Sequence, residues 1–244
     1  MTKIDINCDM GESFGQFKIG NDEALFPYIN SCNIACGFHG GDPLTIEKTI
    51  RLAIKHKLRI GAHPSYPDLA GFGRRKMRID KLELRAILKY QITVIKGLTE
   101  SLGDKLEYVK PHGALYNTAA NDESETLSIM AAISAIDPFL KLMGLAGSVT
   151  EKLAQKHQFP FIAEAFGDRK YTDEGLLMSR KKAGSVIENV NEAVAQIWSI
   201  SQQNQVVSDS GKVIPIQAQS ICIHGDNPAA LEILQALREK SKLQ

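Results

Sequence analysis

The order of short apolar runs and capped helices is the feature that most constrains the fold of this chain. Seven runs of three to six residues, each rich in apolar side chains, alternate with loops and with segments that carry helix start signals. The runs are 4–8, 33–36, 59–62, 108–110, 140–145, 161–165 and 220–223. Strands that alternate with helices pair in parallel and are joined by crossover helices. The sequence therefore predicts an α/β fold with about seven parallel strands.

Helix start signals lie between the runs. Asp42-Pro43 and Asn227-Pro228 each combine an N-cap residue with proline at the first helical position. Spacing typical of a capping box occurs in the pairs Asp80 and Glu83, Asp122 and Glu125, Ser148 and Glu151, and Asn189 and Glu192. Leucine and isoleucine recur at helical spacing between residues 80 and 102, which predicts an amphipathic helix packed on the sheet.

The length and charge of the chain narrow its class. Its 244 residues fit one β/α barrel and no linker or repeat divides them, so we expect a single domain over residues 1–244. The 29 basic and 28 acidic residues give a net charge of +1, which excludes a polycationic surface for nucleic acid. No apolar run reaches the roughly 18 residues of a membrane helix. The N-terminus lacks a signal peptide and four cysteines are too few for a disulfide framework, so we expect a cytoplasmic protein.

Four of the six histidines occupy the same kind of position, just after an apolar run. They are His39, His63, His112 and His224. In parallel α/β folds the carboxyl ends of the strands form one face, and that face carries the active site. Four histidines at this face are hard to explain as core residues, so the sequence predicts a functional site there.

Polar side chains on one face of several runs indicate how the sheet closes. With a period of two, Asp5, Asn7 and Asp9 share a face of the first run. Lys110 lies on the same face as a rim histidine, and Glu164 lies opposite its apolar neighbours. A buried lysine must be paired, so we expect Lys110 beside carboxylates such as Asp5, Asp9 or Glu164. Inward polar groups on several strands favour a closed barrel, with an open, doubly wound sheet as the alternative.

Two long loops, 64–75 and 168–180, complete the predicted rim, and loops of this length in a compact domain are usually functional. Their arginines suit recognition of a carboxylate or a phosphate, and they are Arg74, Arg75, Arg169 and Arg180. The chain has neither a G-x-x-x-x-G-K-[ST] phosphate loop nor a G-x-S-x-G elbow. A thiol nucleophile beside a histidine stays open as an alternative, with Cys8, Cys36 and Cys222 as candidates.

Several strings in one order carry a resemblance to a known family. They are DINCDMGESFG from Asp5, NIACGFHGGDP from Asn33, GAHPSYPD from Gly61, GFGRR from Gly71, VKPHGALYN from Val109, EAFGDR from Glu164 and CIHGD from Cys222. With these strings the chain resembles the LamB/YcsF family almost from end to end.

The resemblance implies a fold, an activity and partners. It implies a distorted, about seven-stranded parallel β/α (TIM-like) barrel similar to the polysaccharide deacetylase and glycosidase barrels. It also implies ATP-dependent opening of 5-oxo-L-proline to L-glutamate, with ATP and Mg²⁺ as cofactors. Members of the family work as the A subunit of a 5-oxoprolinase, together with subunits B and C.

The inward-facing groups and the matched strings together give the candidate site. Its catalytic residues are predicted to be Asp9, His39, His63, Lys110, His112, Glu164 and His224. Its substrate-binding residues are predicted to be Asn7, Arg74, Arg75, Asp168, Arg169 and Arg180. Related barrel deacetylases bind a metal through one aspartate and two histidines, which Asp9, His39 and His63 resemble. Because the ligand spacing differs, metal binding stays open.

Two other functions stay open beside the ATP-dependent enzyme. One is a metal-dependent deacetylase or amidohydrolase that acts alone, and the other is a non-catalytic subunit that delivers the lactam to its partners. The sequence also leaves open whether the chain forms a homo-oligomer.

Overall fold

Seven parallel strands close into a barrel in the computed structural model, which describes residues 5–242. The strands of the described chain are β1 Ile6–Met10, β2 Ser31–Ala35, β3 Arg59–His63, β4 Leu106–Val109, β5 Lys141–Leu145, β6 Phe161–Phe166, β7 Gln205–Val207, β8 Val213–Pro215 and β9 Ser220–Cys222. The barrel order is β1-β2-β3-β4-β5-β6-β9, so the predicted closed barrel is confirmed and the open sheet is wrong. Ile4, where the first run was predicted to begin, lies outside the described residues, as do the chain ends of the predicted 1–244 domain.

Helices cover the outside of the barrel. In the described chain they are α1 Asp22–Leu25, α2 Pro43–Lys55, α3 Lys81–Ser101, α4 Gly113–Ala119, α5 Glu123–Ser134, α6 Val149–Lys156, α7 Val190–Gln203 and α8 Ala230–Lys242. The predicted N-caps accept backbone N–H groups at the start of α2, α3, α5, α6 and α7, and they are Asp42, Asp80, Asp122, Ser148 and Asn189. The start predicted at Asn227-Pro228 is wrong, because α8 begins at Ala230.

The long amphipathic helix predicted between residues 80 and 102 is α3. Its buried face includes Leu84, Leu88, Ile92 and Ile95, and it packs against β3, β4 and α5. No helix among residues 5–242 is long and apolar enough to span a membrane.

The antiparallel hairpin of β7 and β8 lies outside the barrel and was not predicted. Each strand has three residues, which is too short for an alternating pattern to stand out. Tyr171 bridges to Ser208 beside the hairpin, and the Ser208 hydroxyl donates to Asp173 at 2.5 Å. The hairpin therefore braces the predicted rim loop 168–180.

A network of buried amides fills the barrel below its rim. Asn33 Nδ2 donates to Asn7 Oδ1 at 2.8 Å, and Asn7 Nδ2 donates to Ser220 Oγ at 2.8 Å. Tyr108 donates its hydroxyl proton to Asn33 Oδ1 at 2.6 Å. Because each buried polar group has a partner, the network fixes the side chains that carry the site above it.

Gly61 is required by the Tyr108 ring, since a Cβ at this position would lie 2.2 Å from Tyr108 Cε2. The ring is fully buried and held by its hydroxyl. We expect Gly61→Ala to lower the free energy of unfolding by about 1–3 kcal/mol through overpacking. Gly97→Ala is the matched control, because Gly97 lies within α3 and its Cβ would have no neighbour within 4 Å. Gly97→Ala should raise the free energy of unfolding by about 0.5–1 kcal/mol in a denaturant titration. Changes of the same sign in the two variants would contradict the packing argument.

Candidate active site

A cleft of about 740 Å³ opens at the carboxyl ends of the barrel strands. Asp9 from β1 lies in its wall with three of the four rim histidines, His63, His112 and His224. The fourth, His39, is buried and stacks on His112, with ring centroids 3.7 Å apart and planes 4° from parallel. The structure thus brings the predicted acid and all four histidines to one end of the barrel.

Lys110 joins the floor of the cleft into one ion network. Its Nζ lies 2.8 Å from Glu164 Oε1 and 2.9 Å from Asp9 Oδ1. It also lies 3.2 Å from Asn7 Oδ1 and 3.2 Å from Cys222 Sγ. Burial alone would lower the pKa of Lys110, but the adjacent Asp9, Cys222 and Glu164 raise it well above its ordinary value. The ammonium is therefore charged at neutral pH.

Asp5, the third carboxylate predicted beside Lys110, belongs to a different pair. Its Oδ2 lies 2.6 Å from Arg59 Nη2. Asp5 precedes β1, four residues before Asp9, so its partly exposed side chain lies toward the amino end of the strand, away from the rim. Of the carboxylates named as alternatives, Asp9 and Glu164 lie beside Lys110, and Asp5 pairs with Arg59 instead.

Asp9 is an ionised carboxylate within the barrel. Its Oδ1 accepts from Asn33 Nδ2 at 2.8 Å and from Lys110, and its Oδ2 lies 3.3 Å from His63 Nε2. Burial raises the pKa of Asp9, but His63 and Lys110 outweigh burial and hold the pKa well below its ordinary value. Asp9 can therefore accept a proton at neutral pH.

Glu12 lies among three histidines beside Asp9. Its Oε1 is 3.1 Å from His39 Nε2 and 3.4 Å from His112 Nδ1, and His112 Nδ1 is 3.0 Å from His63 Nε2. Burial raises the pKa of Glu12 and lowers those of His39 and His112, so both rings are neutral near pH 7. One donor atom from each of the four residues lies within 4.8 Å of the others.

Gly73 lets the loop 64–75 close over this cluster. It has a φ of +62°, and a Cβ there would lie 2.7 Å from His112 Cδ2 and 2.9 Å from His39 Cβ. The preceding carbonyl, of Phe72, accepts from His112 Nε2 at 2.9 Å. The backbone of this loop therefore orients the His112 ring.

His224 is oriented by Asp168. Asp168 is fully buried, and its carboxylate accepts from His224 Nδ1 at 2.8 Å, from the His224 backbone N–H at 3.0 Å and from Asn227 Nδ2 at 3.1 Å. Burial raises the pKa of Asp168, but His224 more than compensates and lowers it. The structure thus places Asp168 behind His224 rather than in the cleft wall, and Asn7 lies below the wall in the amide network.

Basic side chains line the outer part of the cleft. They are Arg74, Lys76, Arg169, Arg180 and Lys181. Arg74 and Arg180 both pair with Asp226, at 2.5 and 3.0 Å, which holds their guanidinium groups at the rim. Arg169 is buried and donates to the carbonyls of Ser185 and Met178. Arg75 pairs with Asp68, its side chain is 66% exposed, and it does not line the cleft.

The match to known proteins covers nearly the whole chain, since the model of the LamB/YcsF family matches residues 4–244. The chain belongs to the LamB/YcsF family. It is 47% identical over 236 residues to the A subunit of 5-oxoprolinase from Acinetobacter baylyi, a match that covers 97% of this chain and 93% of the relative. It is 43% identical over 244 residues to the A subunit of 5-oxoprolinase from Bacillus mycoides, a match that covers 100% of this chain and 96% of the relative.

A solved structure shares the LamB/YcsF barrel. The crystal structure of the lactam utilization protein from Thermus thermophilus is 40% identical, with a TM-score of 0.92, and the match covers 99% of this chain and 97% of that chain. A more distant structure from Enterococcus faecalis, 10% identical with a TM-score of 0.54, shares the fold alone, and the match covers 98% of this chain and 94% of that chain.

The thiols of this LamB/YcsF chain do not fit the alternative of a cysteine nucleophile. Cys8, Cys36 and Cys222 are buried, and burial raises the pKa of each above its ordinary value. For Cys222 this holds even though Lys110 pulls the pKa down. A buried thiol with a raised pKa is a poor nucleophile, because the thiolate is the reactive form.

Several site residues of the LamB/YcsF chain were not among the sequence-based candidates. Glu12, Asn33 and Asp226 contact the predicted residues, and Tyr116 lines the cleft. Glu12 had a signal, because it follows Gly11 directly after β1 in the first matched string. Asn33 and Asp226 also stand in matched strings, but their partners come from distant parts of the chain.

Proposed function

We propose that this chain is the A subunit of an ATP-dependent 5-oxoprolinase, which opens 5-oxo-L-proline to L-glutamate as ATP becomes ADP and phosphate. The observation that carries the proposal is the full-length similarity to relatives that bear the name of this 5-oxoprolinase component. The cleft supports it, because an ionised carboxylate lies in a wall whose rim is basic. A cleft of about 740 Å³ also falls within the usual size of small-molecule sites.

The chemistry of the lactam explains why ATP would be needed. A five-membered lactam is an unstrained amide, so its hydrolysis near neutral pH is weakly driven and its carbonyl carbon is a poor electrophile. Transfer of the γ-phosphoryl group of ATP to the amide oxygen makes the carbonyl carbon electrophilic, and water adds to this carbon. The ring C–N bond then breaks as the nitrogen takes up a proton, and a second water molecule hydrolyses the resulting acyl phosphate to L-glutamate and phosphate. Asp9 is the group of this chain that accepts the proton of the first water.

The anionic parts of the substrates fit the basic rim. The carboxylate of 5-oxoproline and the phosphates of ATP with Mg²⁺ need fixed cations, and Arg74, Lys76, Arg180 and Lys181 line the cleft. The chain has no phosphate loop motif, which leaves the nucleotide site unassigned and makes a site shared with or carried by subunits B and C reasonable.

Reconstitution tests the proposal. The chain alone, the partner subunits B and C alone, and all three together should be incubated with 5-oxoproline, ATP and Mg²⁺. We expect glutamate and phosphate in equal amounts only from the complete mixture. Turnover by the isolated chain without ATP would instead support a metal-dependent amidohydrolase, and the buried His/Glu cluster is the feature that makes this the second candidate. Full turnover by B and C without this chain would contradict both.

The same assay distinguishes a catalytic role of this chain from a role in which it only delivers the lactam to its partners. A complex rebuilt with Asp9→Asn should bind 5-oxoproline but form little glutamate, whereas a chain that only delivers the lactam would tolerate this change. Equal rates for the variant and wild-type complexes would leave only the delivery function.

Substrate anchoring gives a further prediction. Arg180 lines the cleft and its side chain is 22% exposed, so an ion pair with the substrate carboxylate would be well shielded from water. We expect Arg180→Ala to raise the KM for 5-oxoproline about 30-fold, or about 2 kcal/mol. Arg75→Ala serves as the comparison, because this arginine of the neighbouring loop is exposed and outside the cleft. A KM that rises for Arg75→Ala and not for Arg180→Ala would contradict the assignment of the substrate carboxylate to Arg180.

A further inference from the structure

Two backbone carbonyls fix the protons of two site histidines. His63 Nδ1 lies 2.7 Å from the carbonyl oxygen of Lys110, and His112 Nε2 lies 2.9 Å from that of Phe72. A carbonyl oxygen only accepts, so the proton of each ring is on the nitrogen that faces the carbonyl. In a neutral ring of either histidine, the other nitrogen, His63 Nε2 or His112 Nδ1, carries a lone pair.

These two lone pairs face each other and face carboxylates. His63 Nε2 and His112 Nδ1 are 3.0 Å apart, and neither neutral ring has a proton left to place between them. Glu12 Oε1 lies 3.4 Å from His112 Nδ1, and Asp9 Oδ2 lies 3.3 Å from His63 Nε2. With neutral rings and ionised carboxylates, the lone pairs of these four atoms converge on one point, an arrangement that is repulsive without a cation or an added proton.

The buried charges around this point do not balance either. Asp9, Glu12 and Glu164 are carboxylates, and Lys110 is the buried ammonium that contacts two of them, at Asp9 and Glu164. If all three carboxylates are ionised, they leave an excess of two negative charges on groups that are at most 6% exposed. Unbalanced buried charge is costly, and a divalent cation offsets it without protonating either carboxylate.

We propose that Glu12, His39, His63 and His112 bind a first-row transition-metal ion of the Zn²⁺ type at the base of the cleft. Four donors around a tetrahedral ion at about 2.0–2.1 Å lie about 3.3 Å from one another. The neighbouring donor atoms here are 3.0, 3.1 and 3.4 Å apart. Imidazole nitrogen with one carboxylate oxygen is a donor set that suits zinc, nickel, iron or copper rather than magnesium.

The surroundings of the rings match those of metal ligands. A histidine that binds a metal usually donates its other ring N–H to a backbone carbonyl or a carboxylate, which fixes its orientation. His63 and His112 both do so, through Lys110 and Phe72. The set also differs from the trio that resembles the barrel deacetylases, because Glu12 and His112 join His39 and His63 while Asp9 lies beside the cluster. With all four positions filled by protein atoms, a bound ion would supply a fixed positive charge beside Asp9 and the cleft.

A shared proton is the competing explanation. An imidazolium at His63 would donate from Nε2 to His112 Nδ1 and relieve the contact between the lone pairs. It would neutralise one of the two excess negative charges, and a proton on Glu12, whose pKa burial raises, would neutralise the other. Direct measurement of metal binding separates the two explanations, and it does not depend on any enzymatic activity.

The experiment uses the full chain after treatment with a chelator and dialysis. Zn²⁺ is titrated by calorimetry, bound metal is counted by mass spectrometry, and Co²⁺ is added as a probe with visible absorption bands. We expect one ion per chain and a melting temperature that rises with Zn²⁺. Glu12→Gln and His112→Gln should each weaken Zn²⁺ binding at least 100-fold. His157→Gln, which removes an exposed histidine at the end of α6, should leave it unchanged.

Several outcomes would overturn the proposal. The first is a wild-type chain that binds no stoichiometric Zn²⁺ or Co²⁺. The second is binding that His224→Gln abolishes and the cluster variants do not, which would move the ion to Asp9, Cys222 and His224. The third is binding that only His157→Gln weakens, which would mark a surface site. Circular dichroism of each variant shows that it is folded, and should one cluster variant unfold, the other and the wild-type titration still decide the question.

Discussion

Lys110→Met is expected to abolish turnover of the reconstituted enzyme and to lower the free energy of unfolding by about 3–5 kcal/mol, because it leaves buried carboxylates without their cation. Lys110 is 2% exposed, and its Nζ lies within 2.9 Å of both Asp9 and Glu164. The sequence alone predicts the loss of activity with the fold retained. The structure adds the cost in stability, because the ammonium holds two carboxylates together inside the barrel.

We propose that Lys110 acts through Asp9 rather than on the substrate. An ammonium has three N–H bonds, and Asn7, Asp9 and Cys222 supply an acceptor for each, while Glu164 forms an ion pair with it at 2.8 Å. Without the positive charge the pKa of Asp9 rises. As the pH is lowered, any residual activity should therefore fall at a higher pH than the activity of the wild type does. A purely structural role would lower the rate without moving the pH profile.

A double variant separates the two effects of Lys110. Lys110→Met with Glu164→Gln removes one of the two stranded charges and should recover much of the stability in a denaturant titration. Activity should stay lost, because Asp9 still lacks its cation. Normal turnover of a folded Lys110→Met chain would contradict the proposed role, as would activity that returns together with stability in the double variant.

The barrel could be predicted because its pattern is local. Each strand is a short apolar run, and each of five helices starts with a side chain that caps its own backbone within three residues. The period of two also placed Asn7, Asp9 and Lys110 on the inner face, where the structure has them. Such signals need no knowledge of how distant segments meet.

The site could be predicted only in part because its contacts are long-range. Glu12 becomes a partner of His112 only when the barrel closes and Gly73 allows the loop to approach. Arg74 and Arg75 are neighbours in sequence, yet one lines the cleft and the other pairs with Asp68 outside it. The conformation of loop 64–75 determines which of the two arginines lines the cleft, and no periodic pattern in the sequence predicts that conformation.

The same reason explains the start predicted at Asn227. The Asn-Pro pair has the chemistry of an N-cap, and the Asn227 side chain does accept from the Ala229 backbone N–H at 3.0 Å. Its Nδ2, however, donates to Asp168 and to the Ile187 carbonyl, so the side chain ties the end of the barrel to the rim loop. The Asn227-Pro228 pair is a local signal for a helix start, but the contacts of Asn227 with distant residues determine what its side chain does in the fold.

Asp9→Asn is expected to lower kcat by about 100-fold or more, the usual scale for loss of a general base, with little change in KM. Asparagine has nearly the same shape, so the contact to Lys110 at Oδ1 is retained while the capacity to accept a proton is lost. In the wild type, His63 and Lys110 hold the pKa of Asp9 low, so the base is ionised throughout the neutral range.

Steady-state kinetics of the reconstituted complex measure this effect, and Asp226→Asn provides a matched control at the rim. Asp226 is also a carboxylate in contact with basic side chains, but it holds Arg74 and Arg180 rather than facing the histidines. The Asp226→Asn substitution should therefore change KM more than kcat. If Asp9→Asn raises KM and leaves kcat intact, Asp9 binds the substrate and another group activates water. His63 would be the first to test, since its Nε2 lies 3.3 Å from Asp9 and the ring lines the same cleft.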